Sequence, residues 1–252
     1  MTGFGVPRCL RVVASAVGLL LCGMMLPALL GRAGVAAQDQ SNRVPILAYH
    51  NVDYSGSAYS VTPEQLDAQC RWLLDNGYTP VSIDAFWDAA MGNSTLPPNP
   101  VMLTDDDGWS SAPVFAQIVA QYGFPATFFI NNVSPLTTDQ IANLAGFGAV
   151  EAHTVTHAHL NGLDYDGQFT EINTNKTFLE QTTGQPVRFL AWPFGERNDS
   201  AIQAAKDSGM VAAFGLGGNA AWIGALDPYQ IPRILIEVGD DLTSFAAKVN
   251  GA

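Results

Sequence analysis

The chain has 252 residues, enough for one sizeable domain, and carries 11 Lys and Arg against 23 Asp and Glu. The resulting net charge of -12 argues against a nucleic-acid partner, because phosphates are bound by basic surfaces. Apolar residues make up 48% and charged residues 13%, so the composition supports a buried core and gives no indication of disorder.

The first segment has the pattern of a signal peptide. Two arginines precede an apolar stretch at residues 12–30, and residues 35–37 are small, as a signal peptidase requires. We therefore predict a signal peptide over residues 1–37 and a catalytic domain over residues 38–252, secreted or associated with the cell envelope. No membrane span is expected after cleavage. The apolar stretch could also cross a bilayer, so a retained anchor is the alternative.

Cys70 is the one cysteine of the predicted mature chain. No internal disulfide is therefore expected, although exported proteins often carry them. Its place in an amphipathic pattern with Leu66, Leu73 and Leu74 predicts a small buried side chain rather than a reactive thiol.

Short β-rich runs alternate with segments of helical period, a pattern typical of parallel strands joined by helices. The predicted strands are residues 45–49, 81–83, 101–104, 126–130, 149–152, 188–191, 211–214 and 233–236. The predicted helices are residues 63–76, 112–122, 169–182, 200–207 and 242–249. Thr62 is the expected N-cap of the first helix, with Pro63 at its first position. This pattern leaves an α/β barrel and a doubly wound sheet both open.

Three carboxylates follow one of the predicted strands. Residues 101–104 run directly into Asp105, Asp106 and Asp107, and Gly108 comes next. Like charges this close raise one another's pKa unless a cation is present, so the motif indicates a metal site. The alternative is a simple acidic turn.

Histidines follow another strand. Three of the four in the chain, His153, His157 and His159, lie just after residues 149–152. Two histidines four residues apart fall on the same side of a helical turn, so their ring nitrogens can converge on one ion. Together with the acidic turn, this pattern favours a metal site of two histidines and one carboxylate over a polar surface corner.

Two further strand ends carry polar or turn residues. Residues 188–191 lead into Trp192 and a Pro-Phe-Gly turn, and residues 45–49 lead into His50. Ligands of α/β proteins bind beyond the carboxyl ends of parallel strands. We therefore expect four strand ends to surround one site.

These motifs together resemble the polysaccharide deacetylases with a NodB homology domain, carbohydrate esterase family 4. Residues 104–108 are similar to the family motif T-F-D-D-G, and residues 153–157 match H-[ST]-x-x-H in full. Residues 122–129 also resemble the segment that follows the first motif. The resemblance covers residues 45–236 and implies a distorted (β/α) barrel of the NodB type as a single domain.

The resemblance implies a role for each motif residue. Asp107, His153 and His157 would bind a divalent metal, zinc or else Co2+, Ni2+ or Fe2+, and Asp106 would be the general base. Asp105 stands in the place of an aromatic residue of the family. A different register, in which Asp105 and Asp106 form the working pair, is the alternative.

Two departures from the family concern the catalytic machinery. Ala191 stands where the family has an arginine that orients the catalytic aspartate, and Arg233 could substitute, as in exported deacetylases of poly-N-acetylglucosamine. The alternative for Arg233 is a surface ion pair. The family also has an L-x-H motif near the end of the domain, but residues 235–237 contain no histidine. The resemblance implies that His50 acts as the general acid instead. A buried structural role is the alternative for His50.

The implied reaction is metal-assisted hydrolysis of an acetamide in a polysaccharide that contains N-acetylglucosamine. The backbone N–H of Phe194 would stabilise the oxyanion, and four aromatic side chains are candidate platforms for sugar rings or members of the core. They are Trp109, Trp192, Phe194 and Trp222. The alternative functions are an O-acetyl esterase and a carbohydrate-binding protein in which catalysis is impaired.

Overall fold

The computed structural model describes residues 42–251, in which strands alternate with helices. The strands are β1 (Arg43–Val44), β2 (Ile46–Tyr49), β3 (Asn51–Val52), β4 (Ser60–Val61), β5 (Thr79–Pro80), β6 (Pro100–Asp107), β7 (Ala126–Ile130), β8 (Gly148–Ala152), β9 (Phe189–Ala191), β10 (Ala212–Phe214), β11 (Ala221–Trp222) and β12 (Ile234–Leu235). The helices are α1 (Pro63–Asp75), α2 (Ile83–Ala90), α3 (Ala112–Gln121), α4 (Thr138–Leu144), α5 (Tyr165–Thr183), α6 (Asp199–Asp207) and α7 (Leu242–Asn250).

The main sheet is parallel, with the strand order β10-β9-β8-β7-β6-β2-β12. Residues 231–235, which include β12, join the two sides of this sheet. Ile231 bridges to Phe214 in β10, and Ile234 pairs with Leu47 in β2. The sheet therefore curls into a distorted barrel. The barrel that the resemblance implies is confirmed, and the doubly wound sheet is wrong.

The barrel has an inner and an outer apolar core because neighbouring side chains of a strand face opposite ways. Phe129 in β7 and Phe214 in β10 belong to strands that are not neighbours, yet their ring centroids are 5.5 Å apart, so they meet across the interior. Leu47 and Leu103 face outward and belong to the cluster that includes Phe115 of α3.

The chain follows the predicted elements closely, with one clear exception. Thr62 caps α1 as predicted, and its side chain accepts a hydrogen bond from the N–H of Gln65. The predicted strand at residues 81–83 is wrong, because Ser82 instead caps α2 by accepting the N–H of Ala85. Helices α2 and α4 are not among the predicted elements.

Cys70 is fully buried in α1, as predicted, and burial raises the pKa of its thiol to about 12. The predicted signal peptide and the alternative membrane anchor lie outside the described residues. Within residues 42–251, no helix combines the length and apolar character needed to cross a membrane.

Candidate active site

The carboxyl ends of four parallel strands surround one site, as the sequence predicts. β6 ends at Asp107, and His153 follows the last residue of β8. His50 follows β2, and the turn Pro193–Gly195 comes shortly after β9. Because these strands are parallel, the side chains all lie at one edge of the sheet.

Asp107, His153 and His157 converge on one point. The Oδ1 atom of Asp107 lies 3.2 Å from Nε2 of each histidine, and the three atoms lie within 4.8 Å of one another. This Oδ1 is buried and has no hydrogen-bond partner among the described residues. Ligands at about 2.0–2.1 Å from a tetrahedral zinc ion are roughly 3.3 Å apart. The three residues therefore fit a divalent transition metal.

The backbone turns sharply at Asp107. Its φ is 72°, and φ of Gly108 is 68°, so Asp107 leaves the regular alternation of the strand. A Cβ at Gly108 would lie 2.9 Å from Oγ of Ser134, and the position therefore requires glycine. The indole Nε1 of Trp109 donates to Oδ2 of Asp107 at 2.9 Å, which leaves Oδ1 facing the histidines.

His153 is held on two sides. Its Nδ1 lies 2.8 Å from the carbonyl of Ala191, to which it would donate, leaving the lone pair of Nε2 free for a metal. Its backbone N–H donates to Oδ1 of Asn175 in α5 at 2.8 Å. Burial acts to lower the pKa of His153, but the contact with the carboxylate of Asp107 and the charge of Asp106 outweigh it, and the pKa is raised.

The loop between the two histidines is not helical. Thr154 and His157 have φ of 67° and 57°, in the left-handed region. Glu171 of α5 holds this loop, because its carboxylate accepts the N–H groups of Val155 at 2.9 Å and Thr156 at 2.8 Å. The prediction of a shared helical turn is therefore wrong, although the two ring nitrogens do converge. Burial and the charge of His153 lower the pKa of His157.

Asp106 forms a buried bidentate ion pair with Arg233. Nη1 and Nη2 of Arg233 each lie 2.7 Å from one carboxylate oxygen, and the guanidinium is fully buried. Burial acts to raise the pKa of Asp106, but the charge and hydrogen bonds of Arg233 outweigh it and the pKa is lowered. A surface ion pair is therefore wrong for Arg233, which occupies the segment that closes the barrel.

Asp105 points to the other side of the strand. It pairs in register with Tyr49 and Phe128 and is 1% exposed, and neither carboxylate oxygen has a partner within the described chain. Burial and the nearby charges of Asp106 and Asp107 raise its pKa well above the usual value. The structure thus brings Asp106 and Asp107 to the site, and Asp105 is not part of it.

His50 lies at the same edge and is 8% exposed. Its ring centroid is 5.2 Å from that of Tyr59, and its Nδ1 has no partner among residues 42–251. Burial lowers its pKa, whereas the charges of Asp106 and Asp107 act to raise it. His50 thus lies at the sheet edge that carries both carboxylates, and its role as an acid stays a prediction.

Phe194 lies beside the candidate metal residues. Its φ is 58°, its ring is exposed, and the ring centroid lies 4.6 Å from that of His157. The ring of His159 stacks on the ring of Phe194 with centroids 3.9 Å apart, and Nδ1 of His159 pairs with Glu196 at 2.9 Å.

Two of the candidate sugar platforms lie elsewhere. Trp192 is 1% exposed and donates from Nε1 to the carbonyl of Tyr229, so its substrate-contacting role is wrong and it belongs to the core. Trp222 is exposed but pairs with Arg43 near the amino end of β2, at the opposite end of the sheet from the site.

Sequence reasoning missed the residues that position the histidines. Glu171 and Asn175 lie four residues apart on α5, so they share one helix face. That spacing is a weak signal, because nothing in the neighbouring sequence indicates that these two side chains contact residues 153–156. The contact between Trp109 and Asp107 was also missed, although the two residues are almost adjacent.

Comparisons with known proteins identify the family. Residues 93–213 match the family model described as polysaccharide deacetylase. YxkH of Bacillus subtilis (strain 168), whose name places it provisionally among these deacetylases, is 29% identical over 178 residues, covering 68% of this chain and 63% of that protein. The poly-β-1,6-N-acetyl-D-glucosamine N-deacetylase of Escherichia coli K12 is 25% identical over 257 residues, covering 81% of this chain and 38% of the relative.

The solved structures agree on the fold. The deacetylase PplD of Streptococcus pyogenes, in complex with acetate, superposes with a TM-score of 0.75 at 24% identity, over 82% of this chain and 97% of that one. Residues 93–213 of this chain therefore carry a polysaccharide deacetylase domain. Its matches span less than two thirds of the length of both curated relatives.

Proposed function

We propose that this protein is an exported, metal-dependent hydrolase that removes N-acetyl groups from a polysaccharide containing N-acetylglucosamine. The observation that carries the proposal is the convergence of Asp107, His153 and His157 beside the ion-paired Asp106. The name of the Escherichia coli relative supports poly-N-acetylglucosamine as the substrate class.

Asp107, His153 and His157 would hold the metal. Two imidazoles and one carboxylate suit zinc, and also Co2+, Ni2+ or Fe2+. When bound, such a metal supplies Lewis acidity, which lowers the pKa of water and polarises an acyl oxygen. The hydrogen bonds from Trp109 to Asp107 and from His153 to Ala191 orient the ligand atoms.

Asp106 would accept the proton of the attacking water. Its lowered pKa keeps it ionised near neutral pH. The bidentate contact with Arg233 fixes its orientation, and each carboxylate oxygen retains a second lone pair for a proton. Arg233 thus takes the place of the arginine that the family motif has at Ala191.

Phe194 and His50 would complete the reaction. The backbone N–H of Phe194 would donate to the developing oxyanion. His50 would protonate the departing amine, a step that amide cleavage requires. Its position after β2, at the sheet edge where β6 carries Asp106 and Asp107, supports hydrolysis of an amide rather than of an ester alone.

Acetate release from N-acetylglucosamine oligomers tests the proposal. Activity should vanish on chelation and return with zinc. Asp106→Asn should abolish it while zinc still binds, whereas the exposed Asp139→Asn should leave it unchanged. Acetate released only from O-acetylated polymers would establish the esterase instead. Sugar binding without acetate release from any polymer would establish the binding protein.

A further inference from the structure

The backbone of Phe194 is held in an unfavourable conformation. Its φ is 58° and its ψ is 6°, in the left-handed region that bulky residues rarely adopt. Gly195, which follows, also has a positive φ, of 70°. A strained residue of this kind persists only where its surroundings fix it. The contacts of Phe194 therefore decide whether the turn Pro193–Gly195 keeps its shape.

The N–H group of Phe194 is free in this turn. Pro193 has no N–H, so Phe194 carries the first backbone donor, and the first N–H groups of a helical turn have no partner within it. The carbonyl of Ala191, three residues earlier, instead lies 2.8 Å from Nδ1 of His153. The N–H of Phe194 donates to no backbone carbonyl among residues 42–251, whereas the next two N–H groups along the chain do. It is therefore available to a ligand atom.

Two imidazole rings contact the ring of Phe194. The ring of His157 meets it edge-on, with the centroids 4.6 Å apart, and the ring of His159 stacks parallel to it at 3.9 Å, with 9° between the planes. His157 is one of the three candidate metal residues, whereas His159 is not among them. His159 therefore holds the phenyl ring without taking part in the candidate metal site.

His159 is itself anchored at its ring and at its backbone. Its Nδ1 lies 2.9 Å from Oε2 of Glu196, and this nitrogen can donate in the imidazolium and in the Nδ1–H tautomer alike. The backbone carbonyl of His159 accepts the N–H of Gly162 at 2.9 Å, and the side chain of Leu160 is fully buried. Glu196 lies only two residues after Phe194. The pair of His159 and Glu196 thus ties the histidine loop to the turn.

We propose that His159 is a positioning residue for the reaction. Its ring, oriented by Glu196, keeps Phe194 in the left-handed conformation that leaves the free N–H beside the candidate metal site. The inference rests on the proposed function, in which this N–H donates to the developing oxyanion. Removing one oxyanion donor typically lowers kcat by about 10²–10³-fold, and a misplaced donor loses part of that effect. Because the oxyanion forms only in the transition state, the loss falls on kcat rather than on KM.

Steady-state kinetics of acetate release test the proposal. In the zinc-loaded protein, His159→Ala should lower kcat for N-acetylglucosamine oligomers about tenfold and leave KM and the zinc content unchanged. His159→Phe, which keeps a flat ring for the stack, should recover most of the loss. The matched control Phe147→Ala removes an exposed ring at the amino end of β8, opposite the site, and should keep the wild-type kcat.

The other kinetic outcomes would overturn the inference. A wild-type kcat in the His159→Ala protein would show that the stack does not serve the reaction. A raised KM at wild-type kcat would show that His159 binds the substrate, and a lowered zinc content would show that it acts on the metal.

A crystal structure of the His159→Ala protein gives a readout that does not depend on activity. Phe194 should leave the left-handed region in this variant and remain in it in the His159→Phe protein. An unchanged φ of Phe194 in the alanine variant would overturn the inference whatever the kinetics. Wild-type protein that releases no acetate would contradict the proposed function alone, because the two structures would still decide whether His159 positions Phe194.

Discussion

Three consecutive aspartates have three different environments in this protein. Asp105 faces the outer core and has no partner among residues 42–251, Asp106 is paired with Arg233, and Asp107 faces two histidines. Strand alternation separates Asp105 from Asp106, and the positive φ of Asp107 redirects the third side chain. The burial of Asp105 could not be predicted from a run of identical acidic residues.

Asp105→Leu should stabilise the protein. Removing a buried carboxyl group without partners should raise the free energy of unfolding by roughly 1–3 kcal/mol. Urea denaturation measures the change. Asp105→Asn, which keeps an unpaired polar group of the same size, should gain little. A loss of stability in the leucine variant would show that the carboxyl group has a favourable role.

Glu151 should make stability depend on pH. Burial raises its pKa to about 8 from a usual value near 4.5, although the N–H groups of Arg188 and Phe189 act to lower it. The folded state thus binds the proton more tightly, so the stabilisation is complete below about pH 4.5 and is lost as the pH rises through about 8.

Glu151→Gln should flatten this dependence, because an amide oxygen still accepts both N–H groups but has no proton to lose. Urea denaturation of both proteins between pH 5 and pH 8 measures the difference. Parallel curves would show that Glu151 titrates normally in the folded protein.

Two elements position the site, and neither is obvious in the sequence. Helix α5 holds the histidine loop through Glu171 and Asn175. The segment of residues 231–235 fills the gap between β10 and β2 and places Arg233 inside the barrel. Ile231, before Arg233, bridges to β10, and Ile234, after it, pairs with β2. The sequence analysis named Arg233 as a candidate but could not choose between the interior and the surface, since that choice depends on barrel closure.

Arg233→Met should destabilise the protein and impair the reaction. Removing one partner of a buried ion pair typically costs about 3–5 kcal/mol, and the pKa of Asp106 would rise without the guanidinium. The acidic limb of the pH–rate profile should therefore move to higher pH. Thermal denaturation and the profile of acetate release measure both effects.

Arg188→Met is the matched control, because Arg188 forms an exposed ion pair with Asp84 that is worth about 0–1 kcal/mol. Equal losses of stability in the two variants, with no shift of the acidic limb, would contradict the role given to Arg233.

The architecture of residues 42–251 was largely predictable. Buried strands with β-rich sequences and the motifs at their ends specify both the parallel sheet and the edge that carries the site. Short elements such as α2 were missed because a few apolar residues fit a strand or a helix equally well. The burial of Trp192 depends on packing between the sheet and the helices, which local sequence does not encode.

Export is a prediction that rests on residues 1–37. Expression in a secreting bacterial host should yield a mature protein that begins near Gln38, because the small residues before it match a signal-peptidase site. N-terminal sequencing of the exported protein measures this. A membrane-bound product that retains residues 1–37 would establish the anchor instead.

The metal centre is most directly tested by a crystal structure of the zinc-soaked protein with anomalous diffraction data collected at the zinc edge. The account predicts one strong peak within bonding distance of Oδ1 of Asp107 and Nε2 of His153 and His157, and its loss in His157→Ala. No peak at these atoms, or an equal peak in the His157→Ala protein, would contradict it.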